Sequence, residues 1–224
     1  MKNKIHYIDI GARNDLTEPW LSHENELNIF CFEADPTELL KLQTLYKNRK
    51  FFQSALYHKS GKINLNITIN PSQSSIYKIN DISEFEKQHW INRQIKDTIE
   101  VPCSTLDKTL MENFVDAIKI DTQGAEYDIL KGGENILTSK YPILFLETWC
   151  FPVYRNAPLM HDILKLLLPL GYELFDVETA AAWRYSCLKN EKKMTGSRQR
   201  LIGLNLILIP SLFNLKKLER DRIL

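Results

Sequence analysis

No stretch of this chain is apolar for long enough to cross a bilayer as a helix. A span needs about 20 residues, and even Leu201 to Pro210 is shorter and contains Asn205. An excess of one charge is also lacking: 29 Lys and Arg against 28 Asp and Glu leave a formal net charge of +1. No global field therefore recruits nucleic acid or an anionic membrane. Cys31, Cys103, Cys150 and Cys187 stand far apart with no C-x-x-C pair, and the sequence opens without a charged-then-apolar leader. The expectation is reduced thiols in a cytoplasmic protein. His6, His23, His58, His89 and His161 show no H-x-x-x-H spacing, so no zinc site is expected. There are only eight glycines, and Gly11 has no glycine partner in the next several positions. The G-x-G-x-x-G dinucleotide fingerprint is thus missing, as is the G-x-x-x-x-G-K-[ST] phosphate loop. Nicotinamide hydride transfer and nucleoside triphosphate hydrolysis lose their main support.

What the chain does contain is a rhythm. Its 224 residues are 44% hydrophobic, enough for one large domain spanning 1–224. Apolar runs recur at Ile5 to Ile10, Leu27 to Phe32, Phe51 to Tyr57, Ala117 to Ile120, Ile143 to Leu146, Tyr172 to Val177 and Leu204 to Ile209. Helical patterns lie between several of them. This alternation predicts an α/β fold, a mostly parallel sheet with helices on both faces. Asp35-Pro36-Thr37-Glu38 supplies a cap, a first-turn proline and an acid ahead of Leu39, Leu42, Leu45 and Tyr46. Ser104-Thr105-Leu106-Asp107 starts a second helix, and Pro158 to Gly171 frames a third. Only a polar, basic stretch joins the last two strands, so they are expected to pair as a long antiparallel hairpin. The result is a seven-stranded sheet with a reversed edge strand. An insertion at about 60–100 includes the alternating Ile63 to Ile69, read as a half-exposed edge strand, and a Ser-rich turn with a helix bearing Phe85 and Trp90. It either covers a site or is a peripheral excursion.

The segment Ile118 to Gly133 reads as a buried strand ending in a carboxylate, a glycine turn and a helix, and strand ends are where α/β sheets bind ligands. Together with Tyr7-Ile8-Asp9-Ile10-Gly11-Ala12 and Phe32-Glu33-Ala34-Asp35-Pro36, in that order and spacing, it resembles the FkbM family of S-adenosylmethionine-dependent methyltransferases. The family pattern K-I-D-T/V-E/Q-G-x-E-x-x-V/I-L-x-G is nearly complete here. The likeness runs from about Tyr7 to Leu208 through Phe145-Leu146-Glu147-Thr148. It implies a Rossmann-like class I methyltransferase fold and S-adenosylmethionine as cofactor.

The cofactor-binding candidates are Asp9, Gly11, Ala12, Glu33, Ala34, Ser54, Ala55 and Asp121. Gly11 permits a tight turn and Ala12 leaves room for the methionine portion. Glu33, about twenty residues on, stands where an acid holds ribose hydroxyls. The resemblance places Ser54 and Ala55 beside the adenine. Arg13-Asn14-Asp15 departs from the pattern, since relatives commonly have glycine at the place of Asp15. The catalytic candidates are Asp121, Glu126 and Glu147, as base or as holders of sugar hydroxyls. Glu126 reads equally as a helix-capping acid, and Glu147 as the partner of a basic neighbour. Converging carboxylates are also what a divalent cation needs, although no metal ligand is assigned. His58 and His161 are the histidines to test as a base.

Trp149, Phe151, Tyr154 and Arg155 suit stacking on a sugar ring, or simply a packed loop. Lys189 to Arg200 is basic enough to clamp phosphate, or is a solvated loop. The tail at about 211–224 reads as an amphipathic helix packing on the body or on a second subunit, which leaves a homo-oligomer open. The expected activity is O-methylation of a hydroxyl on a sugar, glycan or secondary metabolite, with a small-molecule or glycan acceptor and no nucleic acid partner. N-methylation stays open. The alternatives are a catalytically silent S-adenosylmethionine-binding or assembly subunit, and a nucleotide-sugar-modifying enzyme with another cofactor.

Overall fold

The computed structural model describes residues 4–82, 87–183 and 200–216. The basic run at 189–200, apart from Arg200, and the tail beyond Lys216 lie outside the described residues. The strands are β1 (Ile5–Ile10), β2 (Leu27–Glu33), β3 (Lys50–Gln53), β4 (Ala55–Leu56), β5 (Gly61–Thr68), β6 (Ile95–Ser104), β7 (Ala117–Ile120), β8 (Ile143–Trp149), β9 (Tyr172–Trp183) and β10 (Arg200–Pro210). The helices are α1 (Pro36–Leu45), α2 (Lys87–Asn92), α3 (Leu106–Leu110), α4 (Glu126–Lys131), α5 (Glu134–Ser139), α6 (Met160–Leu167) and α7 (Leu212–Leu215). None of the described helices is long and apolar enough to cross a membrane.

Seven strands form the main sheet in the order β3-β2-β1-β7-β8-β10-β9. The first five run parallel, whereas β10 is antiparallel to both β8 and β9. The last two strands do form a hairpin. Its returning arm slots in beside β8, so the reversed strand lies one place inside the edge and β9 forms the edge itself. The parallel strands read as continuous apolar runs because both of their faces are covered. One face carries Ile8, Ile10, Ile118, Ile120, Leu144 and Leu146 against Leu106, Ile129, Leu137 and Ile163 of α3 to α6. The other carries Tyr7, Ile29 and Cys31 beneath Leu16 and Trp20 of an irregular segment. Each such buried side chain contributes roughly 1.5–3 kcal/mol.

Local signals behave as their chemistry dictates. The Asp35 carboxylate accepts from the Thr37 N–H at 2.9 Å and Pro36 opens α1. Thr105 caps α3, and Gly171, with φ +87°, ends the α6 region. Two expectations need correction. The run Phe51 to Tyr57 is not one strand: it breaks at Ser54 into β3 of the main sheet and β4 of another. Nor does the Ile63 to Ile69 strand extend an edge of the main sheet. As β5 it pairs antiparallel with β6, which pairs with β4, in a separate three-stranded sheet. The alternation of apolar residues gives the strand its two faces but does not name the neighbour that will hydrogen-bond to it.

Candidate active site

The C-terminal ends of β1, β2, β3 and β7 open into one cleft of about 800 Å³ including its mouth. Gly11, Glu33, Ala34, Ser54, Ala55 and Asp121 all line it. The insertion supplies another wall, through Leu65, Pro71, Ser72, Ser74 and Ile76. Gly11 has φ +81°, and a Cβ there would meet the Asp121 carbonyl oxygen at 2.1 Å. The turn therefore needs glycine for two reasons, its backbone angle and the close approach of β7. The Asp121 N–H donates to the Ile10 carbonyl at 3.1 Å and locks the two strand ends together.

Glu33 is buried at the end of β2, and one oxygen accepts from the Asp35 N–H at 2.7 Å. Burial pushes its carboxyl above the usual range, partly offset by Arg13 and that backbone bond. Arg13 Nε lies 3.8 Å from the other oxygen, while Arg13 Nη2 binds Asp35 at 3.0 Å. The departure at Asp15 also has a structural explanation. Its carboxylate meets Arg49 at 2.5 Å, and Arg49 in turn meets Glu24 at 2.8 Å, which pins the segment after β1.

Asp9 and Ala12 do not line the cleft. Asp9 is buried and meets Lys119 at 3.2 Å, and Lys119 is the residue that reaches the cleft wall. Burial opposes the charge on Lys119, but Asp9 and Asp121 outweigh it and hold the ammonium above its ordinary range. Ala12 packs with Tyr7 and Leu16 in the cluster on the opposite face of the sheet.

The three acids proposed for catalysis divide. Asp121 faces the cleft. Glu147 lies just behind it, hydrogen-bonded to Asp121 and to Gln123 Nε2 at 2.7 Å. Burial, the Asp121 charge and the hydrogen bond to Asp121 push Glu147 up to about 9. Burial also works against ionising Asp121, yet the bond from Glu147, the Lys119 charge and the Gln123 amide outweigh it and hold this carboxyl low. The pair therefore shares one proton near neutrality, with Asp121 ionised. Glu126 is different. Its carboxylate, 1% exposed, accepts from the Thr122 N–H at 2.9 Å, the Thr122 hydroxyl at 3.1 Å and the Gly124 N–H at 3.2 Å. It holds the loop after β7, does not line the cleft and caps no helix, since α4 has no side-chain cap, so its place matches neither the catalytic nor the capping reading.

Neither histidine considered as a base lines the cleft. His58 is bound to Asp128 at 2.9 Å and His161 sits 3.5 Å from Asp162 on the surface. Among the described residues no group of three or more His, Cys, Asp or Glu is arranged to hold a metal ion.

The methyltransferase FkbM domain matches residues 9–174, well over half of the chain. The chain belongs to the FkbM methyltransferase family. It is 25% identical over 173 residues to the 2-O-methyltransferase NoeI of Sinorhizobium fredii (strain NBRC 101917 / NGR234), covering 71% of this chain and 70% of that protein. A crystal structure of a methyltransferase FkbM from Methylobacillus flagellatus KT superposes with a TM-score of 0.54 at 12% identity. That match covers 91% of this chain but only 44% of the other, so the chain spans less than half of that protein. The fold is the Rossmann-like class I methyltransferase fold, and the chain is a methyltransferase.

Two residues in or behind this FkbM-family cleft escaped sequence reasoning. Gln123 lies inside the signature, but only its two-sided hydrogen bonding marks it out. Arg93 is a lone arginine in a polar insertion and gives no sequence signal, yet it is buried against Trp149 and Tyr154. Those two aromatics are themselves buried, so the packed-loop reading holds for them and the sugar-stacking one does not.

Proposed function

We propose that the chain transfers the methyl group of S-adenosylmethionine to a hydroxyl of a sugar, glycan or secondary metabolite. The observation that carries this reading is the convergence of Gly11, Glu33 and Asp121, from three separate strands, on one cleft. The cleft fits the donor. The bare Gly11 turn allows close backbone approach, Glu33 has an oxygen 3.8 Å from Arg13 Nε and without a hydrogen bond among the described residues, and Phe32, Ala34, Ala55, Leu56 and Ile76 supply an apolar wall. Glu33 would hold the ribose hydroxyls and the Ser54–Ala55 corner would flank the base. When bound, the donor supplies an electrophilic methyl on a sulfonium.

The remaining work falls to the chain. Asp121, ionised and facing the cleft, takes the proton of the acceptor hydroxyl as the oxygen is methylated. Glu147 keeps its own proton and steadies the Asp121 charge by the hydrogen bond between them. A carboxylate base beside the donor site favours a hydroxyl acceptor, and the relative named a 2-O-methyltransferase supports the same assignment.

Calorimetry with S-adenosylhomocysteine is the direct test. The folded protein should bind it, and Glu33→Ala should weaken binding at least about tenfold, or about 1.4 kcal/mol. Absence of binding by folded protein refutes the proposal. A mass-spectrometric panel of hydroxylated and amine acceptors then separates O- from N-transfer.

A further inference from the structure

Gln123 stands between the carboxyl pair of the cleft and a buried cation delivered by the insertion. Its Nε2 donates to Asp121 Oδ1 at 3.1 Å and to Glu147 Oε2 at 2.7 Å. On the other side its Oε1 accepts from Arg93 Nη1 at 3.2 Å and from the Tyr154 hydroxyl at 2.9 Å, whose single proton the Gln73 carbonyl also approaches, at 3.1 Å. Arg93 Nη1 also donates to that hydroxyl at 2.6 Å. Arg93 directly follows α2, and its guanidinium carbon sits 5.3 Å from the Trp149 ring centre and 5.6 Å from that of Tyr154. The insertion grips the backbone of Gln123 as well: the buried Ser75 hydroxyl donates to its carbonyl at 2.8 Å. That backbone has φ +59°, in the left-handed region that a glutamine rarely adopts, so external contacts hold it there.

A side-chain amide has nearly the same shape either way round, and its neighbours decide which end faces where. Guanidinium groups only donate, so Arg93 must meet the amide oxygen. The amide N–H groups are then obliged to face Asp121 and Glu147. Turned over, the amide would set donor against donor on one side and oxygen against oxygen on the other, leaving buried groups unpaired.

We infer that Arg93 and Tyr154 are positioning residues for the carboxyl pair: through Gln123 they aim the amide N–H groups at Asp121 and Glu147. The use made of Asp121 rests on the function proposed above, whereas the arrangement stands on the hydrogen bonds alone. The charged and titratable groups facing the pair are Lys119 of β7, Arg93 of the insertion, Glu126 of α4 and Tyr154 of the loop after β8. Lys119 and Arg93 favour an ionised pair and Glu126 opposes it. The amide provides the directional contact among them, which a diffuse field does not.

The test is a carbon-13 NMR titration of the full chain labelled at its Asp and Glu side-chain carboxyls. The Asp121 and Glu147 signals are assigned by their loss in Asp121→Asn and Glu147→Gln. In Tyr154→Phe and in Arg93→Met the lower midpoint of the pair should rise by about one pH unit, because an amide no longer held from its oxygen side turns its N–H groups away from the charged form. Unmoved midpoints overturn the inference, even if stability falls. Should Arg93→Met fail to fold, Tyr154→Phe decides alone, since it removes one hydroxyl and keeps the ring. Binding of S-adenosylhomocysteine by the parent protein is measured alongside. Its absence would refute the proposed function, while the titrations, which need no ligand, still decide this one.

Discussion

Replacing Gly11 by alanine tests the geometry that joins the strand ends to the cleft. The new Cβ would sit 2.1 Å from the Asp121 carbonyl oxygen, whereas carbon and oxygen ordinarily approach to about 3.3–3.6 Å. The ends of β1 and β7 must therefore part by more than about 1 Å. Parting them breaks the Asp121 N–H to Ile10 carbonyl bond, worth about 0.5–1.5 kcal/mol. Holding alanine at φ +81° costs about 1–2 kcal/mol more. The expected loss is about 3 kcal/mol, a fall in melting temperature of roughly 6–12 °C for a domain of this size. Gly61→Ala is the control, because Gly61 also has positive φ but nothing lies within 4 Å of its Cβ position. Urea unfolding of the two variants separates backbone angle from collision, and calorimetry with S-adenosylhomocysteine reports on the cleft. Gly11→Ala should be the less stable of the two and bind at least about tenfold more weakly than the parent. Equal unfolding midpoints together with parental affinity would show that the close approach has no bearing on the fold or the site.

Three more outcomes follow from the carboxylates. Glu126→Ala strands the Thr122 and Gly124 N–H groups and should cost about 2–5 kcal/mol in denaturant unfolding; a loss below about 1 kcal/mol contradicts the loop-shaping role. Burial raises the Glu126 carboxyl from 4.5 to about 7, so its protonated form is the one the fold prefers. The stability this group contributes is complete below 4.5 and is lost as pH rises through about 7. The stability difference between the parent and Glu126→Gln should shrink across that window by up to about 3 kcal/mol, and a flat or opposite trend in pH-resolved unfolding refutes the assignment. Asp121→Asn should lower methyl transfer at least about 100-fold, the lower range for losing a general base, and retained turnover in the acceptor panel would remove Asp121 from the chemistry.

The parts of this fold legible in the sequence are those fixed by burial on both faces or by local capping. Apolar runs such as Tyr7 to Ile10 and Ile118 to Ile120 have few alternatives to a central strand, and Asp35-Pro36 can do little other than start a helix. The second sheet was hidden because β6 carries Lys96, Asp97, Thr98, Glu100 and Pro102 among its apolar residues, a pattern that suggests surface chain until a partner is known. At the site, the strand-end positions of Gly11, Glu33 and Asp121 follow from topology. The orientation of Glu126 does not, because the same residue at the start of a helix can point outward or turn back onto its own loop. Arg93 was least legible of all: its burial depends on Trp149 and Tyr154, which lie more than fifty residues away in sequence.

The placement of β10 governs how the sheet can be completed during synthesis. The strand that bridges β8 and β9 is the last of the three to leave the ribosome, so β9 has no neighbour in the main sheet until Arg200 to Pro210 has emerged. A stop codon shortly before Arg200 would thus delete β10, leave β9 without its neighbour in the main sheet, and bare the flank of β8 to pairing with other nascent chains.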